Sequence, residues 1–123
     1  MIGNGGEVLY FADMKKLALL LLTVSPAFAD TAVVEAVAFS NGRFDVTLSH
    51  PDTGWEHYAD GWRIELADGT ILGTRVLAHP HVNEQPFTRS DQIAVPDGVT
   101  EVFVRTSDNV DGWADDTTPF VLP

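Results

Sequence analysis

Between Arg43 and Ser49 the chain reads RFDVTLS, with apolar and polar residues in strict alternation. Successive side chains of a strand point to opposite faces, so Phe44, Val46 and Leu48 share one side and Arg43, Asp45, Thr47 and Ser49 the other. After residue 30 no segment keeps a helical period for three turns, which constrains the chain to an all-β fold. The preceding run, Ala32 to Phe39, is joined to RFDVTLS by Ser40-Asn41-Gly42. Asn-Gly supplies the positive φ that a tight hairpin turn demands, and the two runs are predicted to pair antiparallel.

A second hairpin is expected in WRIELADGTILGTRVLA, residues 62–78. A two-residue loop at Asp68-Gly69 would set Leu66 opposite Ile71 and Trp62 opposite Arg75. A three-residue loop, Ala67-Asp68-Gly69 with Gly69 left-handed, sets Ile64 opposite Leu72 and Trp62 opposite Thr74. The second keeps apolar residues together and is preferred. Further strands are predicted at QIAV (92–95), ended by Pro96-Asp97-Gly98, at TEVFVRT (100–106) and at TPFVLP (118–123). About seven short strands with turn signals at these spacings predict a Greek-key sandwich of immunoglobulin or fibronectin type III kind, with Trp62 as its core tryptophan.

That topology has a consequence for function. Strand direction reverses at each hairpin, so residues 50–60, 79–90 and 107–116 emerge at one end. His50, His57, His79 and His81, which are all four histidines, are expected there. His57, His79 and His81 with Asp111 are candidate ligands for Cu or Zn, since neutral imidazole suits both metals, and Glu84 offers a further oxygen. The structural alternative is that Pro80 fixes a sharp exit and the histidines satisfy loop backbone. Trp55, Tyr58, Glu84, Arg89 and Trp113 form a candidate surface for a protein partner or a small ligand. Exposed indole and phenol rings stack on sugars or anchor proteins; the alternative is that Trp55 and Trp113 pack the loops together. SDNVDGWADD fails as an EF-hand, because Ser107 and Thr118 would fall where Asp and a bidentate Glu are needed.

Residues 14–29, MKKLALLLLTVSPAFA, have two lysines, an apolar run and Ala27-Phe28-Ala29, the features of a signal peptide cleaved before Asp30. Residues 1–13 precede a complete leader and are read as a start assigned too early, leaving residues 30–123 as one domain in the periplasm or secreted. The apolar run is shorter than the roughly 20 residues that span a bilayer, and no cysteine follows the cleavage site to carry a lipid. No membrane association is therefore expected after cleavage. A net charge of -11 argues against nucleic acid, itself a polyanion. With no cysteine, no Gly-x-Ser-x-Gly and no serine set beside His and Asp in a recognisable way, the chain is expected to be a non-enzymatic, monomeric binding module without a cofactor unless Cu or Zn binds.

From about Trp55 to Trp113 the sequence resembles a group of small secreted proteobacterial proteins to which no activity is assigned. Its most specific stretch is HPHVNEQPFTR, residues 79–89. The resemblance implies architecture and compartment. Members often carry a histidine before the last Gly-Trp, where this chain has Asp111, so a metal site in the group would here have a carboxylate in place of one imidazole.

Overall fold

The alternation that marks RFDVTLS recurs through the computed structural model, which describes residues 31–123; every regular element among them is a strand. In chain order these are β1 (Val33–Ser40), β2 (Arg43–Ser49), β3 (Ala59–Glu65), β4 (Ile71–Val76), β5 (Phe87–Gln92), β6 (Glu101–Asp108), β7 (Gly112–Trp113) and β8 (Thr118–Val121). One sheet has the order β1-β2-β5. The other has the order β4-β3-β6-β7, with β8 also paired to β6. All pairings are antiparallel. The chain changes sheet after β2, β4 and β5, so β2 meets β5 and β3 meets β6 across the sequence, the Greek-key pattern expected. β7 and β8 lie along the same side of β6, as two parts of one interrupted edge strand. Eight segments thus fill seven strand positions.

The core lies between the sheets. Phe44, Val46 and Leu48 of β2 face Trp62 and Ile64 of β3, Phe87 of β5, and Val102 and Val104 of β6 in one buried cluster. Burial of each such side chain is worth about 1.5–3 kcal/mol, and the alternation places them all on the inner faces. The β1–β2 turn is as predicted, with Asn41 at φ 52° and Gly42 at φ 80°.

Two details differ from expectation. In the β3–β4 hairpin, Gly69 has φ 89° and Leu66 N–H donates to Thr70 O, so the three-residue loop is present. A bulge then leaves Leu72 without a partner: Ile64 opposes Gly73, not Leu72, and Trp62 opposes Arg75, not Thr74. Leu72 still packs on the core. The bulge thus gives the strands the register of a two-residue loop while Leu72 keeps its contact with the core. Second, the strand expected at 92–95 lies at Phe87–Gln92. FTRSDQ carries one large apolar residue and looks like a loop; pairing with β2 makes it a strand. The connection after β4 accordingly ends near Pro86. The leader, cleavage and start-site expectations fall outside the described residues.

One edge of the sandwich is closely closed. Arg75 Nε of β4 donates to Ser90 O of β5, joining the two sheets. A Cβ on Gly73 would stand 2.8 Å from Ile93, so only glycine lets that strand approach so near.

Candidate metal centre

The chain leaves β2 at Ser49 and turns back through His50, Pro51 and Asp52. Asp52 is the organising group. Its Oδ1 lies 2.5 Å from His50 Nδ1 and accepts the Ala59 N–H at 3.0 Å, while Oδ2 accepts the His81 N–H at 2.8 Å. A single buried carboxylate therefore ties the exit of β2, the start of β3 and the loop after β4. An ionised carboxylate only accepts, so His50 donates through Nδ1, and its Nε2 points away from Asp52. That Nε2 is buried and has no hydrogen-bond partner.

His57 arrives through a tight turn in which Gly54 takes φ 143° and His57 N–H donates to Gly54 O. Its ring stands edge-on to His50, centroids 4.9 Å apart, and its Nε2 is likewise buried without a partner. Asp108 ends β6. Its Oδ1 accepts the Val110 and Asp111 N–H groups at 2.9 and 2.7 Å, which fixes the carboxylate, and lies 3.5 Å from His57 Nε2. One donor atom each from His50, His57 and Asp108 fall within 4.8 Å of one another.

Two imidazole nitrogens and a carboxylate oxygen suit a borderline divalent ion such as Zn or Cu(II). Ligands about 2.0–2.1 Å from one ion stand roughly 3.3 Å apart in a tetrahedron, close to the His57–Asp108 separation. Asp52 behind His50 stands where an outer carboxylate would orient a metal-bound imidazole and raise its basicity. Soft Cu(I) is poorly served, because the chain has no cysteine and its two methionines precede residue 15.

The sequence-predicted residues divide between this centre and its surroundings. All four histidines gather at one end, as the strand directions required. His57 belongs to the triad. His79 and His81 pair instead with each other, centroids 4.8 Å apart, and His81 stacks on Phe87 at 3.9 Å. Burial lowers the His81 pKa, with Arg89 adding to the effect. Its Nδ1 is 4.0 Å from Asp52 Oδ2, on the oxygen turned away from His50. Asp111 is exposed and contributes its amide, not its carboxylate. Gln85 holds the two loops together, accepting His50 N–H through Oε1 and donating through Nε2 to His81 O. The His-Pro-His stretch thus buttresses the support of His50.

Trp55 and Tyr58 meet edge-to-face at 5.6 Å, and Trp55 remains 66% exposed. Glu84 pairs with Arg89 at 3.0 Å, and that hydrogen bond pulls the Glu84 pKa down. Trp55, His79, Asn83 and Glu84 line an open cleft of about 570 Å³. Trp113 lies apart from them, beneath the Arg63 guanidinium at 4.2 Å. Sequence reading placed His50 and Asp108 at this end without assigning them as ligands, and it missed Asp52. The signal for Asp52 was local: a histidine and an aspartate two apart, directly after a strand whose alternation points His50 inward.

No family model matches the chain, and no solved structure matches it. A protein of Halomicrobium mukohataei described as "Putative lipoprotein" is 39% identical over 116 residues, covering 91% of this chain and 54% of the relative. The chain spans about half the length of that relative.

Proposed function

We propose that this is a secreted or envelope-associated β-sandwich, periplasmic in a diderm cell, that binds a divalent transition metal at His50, His57 and Asp108 without catalysing a reaction. The observation that carries the reading is the convergence of two buried, unpartnered imidazole Nε2 atoms on one fixed carboxylate. Buried polar atoms without a hydrogen bond are costly, and a bound cation would remove that cost for both imidazole nitrogens at once. The leader-like residues 14–29 support the compartment, as does a relative described as a lipoprotein.

The test is metal content and affinity of the purified folded chain, measured by elemental analysis and by calorimetry with Zn and Cu(II). One ion per chain is expected, lost in His50→Ala/His57→Ala and kept in His79→Ala/His81→Ala. Equal loss in both double variants, or no ion in the unaltered chain, overturns the reading.

A second reading, partner or ligand binding at the loop end, is favoured by the exposed Trp55. It concerns a different surface and is compatible with a metal centre beneath.

A further inference from the structure

We propose that the cleft between Trp55 and the 79–84 loop binds a neutral sugar, with a pyranose ring stacked on the Trp55 indole. A pyranose has an apolar C–H face and a rim of hydroxyls. The cleft matches both parts: one large aromatic face, and beside it the polar side chains of His79, Asn83 and Glu84.

The platform is held in place. Trp55 is braced edge-on by Tyr58, and its carbonyl accepts a hydrogen bond from Asn109 Nδ2 at 3.0 Å, so little ordering entropy is lost when a ring settles on it. Among the described tryptophans Trp62 is in the core and Trp113 is covered by Arg63. Trp55 alone keeps most of its surface free. His79 Nδ1 donates to Pro80 O at 3.1 Å, which leaves Nε2 to accept from a hydroxyl. Only one oxygen of Glu84 is engaged by Arg89, and the other is left for a second hydroxyl.

Charge selects against other occupants. Arg89 is the cation nearest the cleft and is already paired with Glu84. The chain as a whole carries -11. An acidic glycan or an anionic peptide would meet repulsion with no free cation to offset it. The open cleft, with a volume of about 570 Å³, has room for a small molecule such as a mono- or disaccharide.

The cleft is lined by none of the three proposed metal ligands, and the experiment separates the two sites. The folded chain is applied to an array of neutral and acidic oligosaccharides, with and without EDTA, and hits are quantified by affinity electrophoresis. Retention on at least one neutral glycan is expected, unchanged by EDTA, weakened at least tenfold by Trp55→Ala and less than twofold by Trp113→Ala. Trp55 is exposed, so its loss leaves the fold intact, and the thermal midpoint of the variant verifies this. Binding to no neutral glycan, a preference for acidic glycans, or retention that survives Trp55→Ala overturns the proposal. The last outcome together with capture of a protein through the same tryptophan would assign the surface to a protein partner instead.

Discussion

His50 Nδ1 and Asp52 Oδ1 lie 2.5 Å apart, and both side chains are wholly excluded from solvent. This contact decides which face of the imidazole is free, and so turns a histidine at a strand end into a prospective ligand. Asp52→Asn leaves one oxygen where two now accept from Ala59 N–H and His81 N–H, and it removes the charge facing His50 Nδ1. Zn affinity is expected to fall about 10–100-fold, the usual effect of losing such an outer partner, with roughly 1–3 kcal/mol lost in urea unfolding. Calorimetry that returns unchanged affinity would separate Asp52 from the centre.

Metal binding to the folded chain must stabilise it. At a free ion concentration of about 100 times Kd the gain is about 2.7 kcal/mol, read as a rise in Tm on adding Zn. The rise should vanish in His50→Ala/His57→Ala and in Asp108→Asn. A Tm rise that persists in those variants would place the ion elsewhere.

How much of this was legible beforehand depends on what kind of information each residue carries. The inward residues Phe44, Val46 and Leu48 declare themselves by alternation, and Asn41-Gly42 by backbone conformation, both local properties. The strand Phe87–Gln92 does not, because its identity comes from pairing with Arg43–Leu48 far away in sequence. The same holds for the centre. Asp108 stands in a run of acids, and nothing near it marks it as the one that is buried. The end of the sandwich followed from counting hairpins, whereas the choice of His50 over His79 depends on Asp52 reaching three separate segments.

Acid should unfold the chain in two stages. His81 has its pKa lowered by burial, so the folded state binds its proton less readily than the unfolded chain. Its contribution is complete above about 6.5, the ordinary imidazole value, and fades as pH falls through the lower folded value. Glu65 sits between Arg105 and Arg63, and its pKa is lowered chiefly by the Arg105 hydrogen bond. Its contribution is complete above the ordinary value of 4.5 and is lost below it. Urea midpoints at pH 7, 5.5 and 4 should decline at both steps, with the second step smaller in Glu65→Gln, the remainder coming from other carboxylates with lowered pKa such as Glu84.

Salt should stabilise the protein. Eighteen acids face seven bases in the sequence, and the net charge of -11 repels itself. Added NaCl also weakens exposed pairs such as Arg43–Asp45 and Arg89–Glu84, but solvent already screens these, so each contributes little. The repulsion is the larger effect. Urea midpoints are expected to rise from about 0.05 to 1 M NaCl, over which the Debye length shrinks from more than 10 Å to about 3 Å. A midpoint that falls over this range would mean that the surface pairs dominate.

The fit of Gly73 against Ile93, with Arg75 lashed across to Ser90, bears on how the chain keeps from joining copies of itself. Exposed strand edges are templates for aggregation. Along β4 the Leu72 bulge breaks the regular ladder, and the arginine occupies the lip between the sheets. An incoming strand finds neither a flat edge nor an open seam there. The opposite flank, where β1 runs at one sheet edge and the interrupted β7 and β8 at the other, is tied by a hydroxyl contact, Thr106 Oγ1 donating to Ala32 O at 2.9 Å, rather than by an arginine. Self-association, under conditions harsh enough to provoke it, should begin on that flank. Gly73→Ala, by prising β4 from Ile93, would create a second point of nucleation on the side that is now sealed.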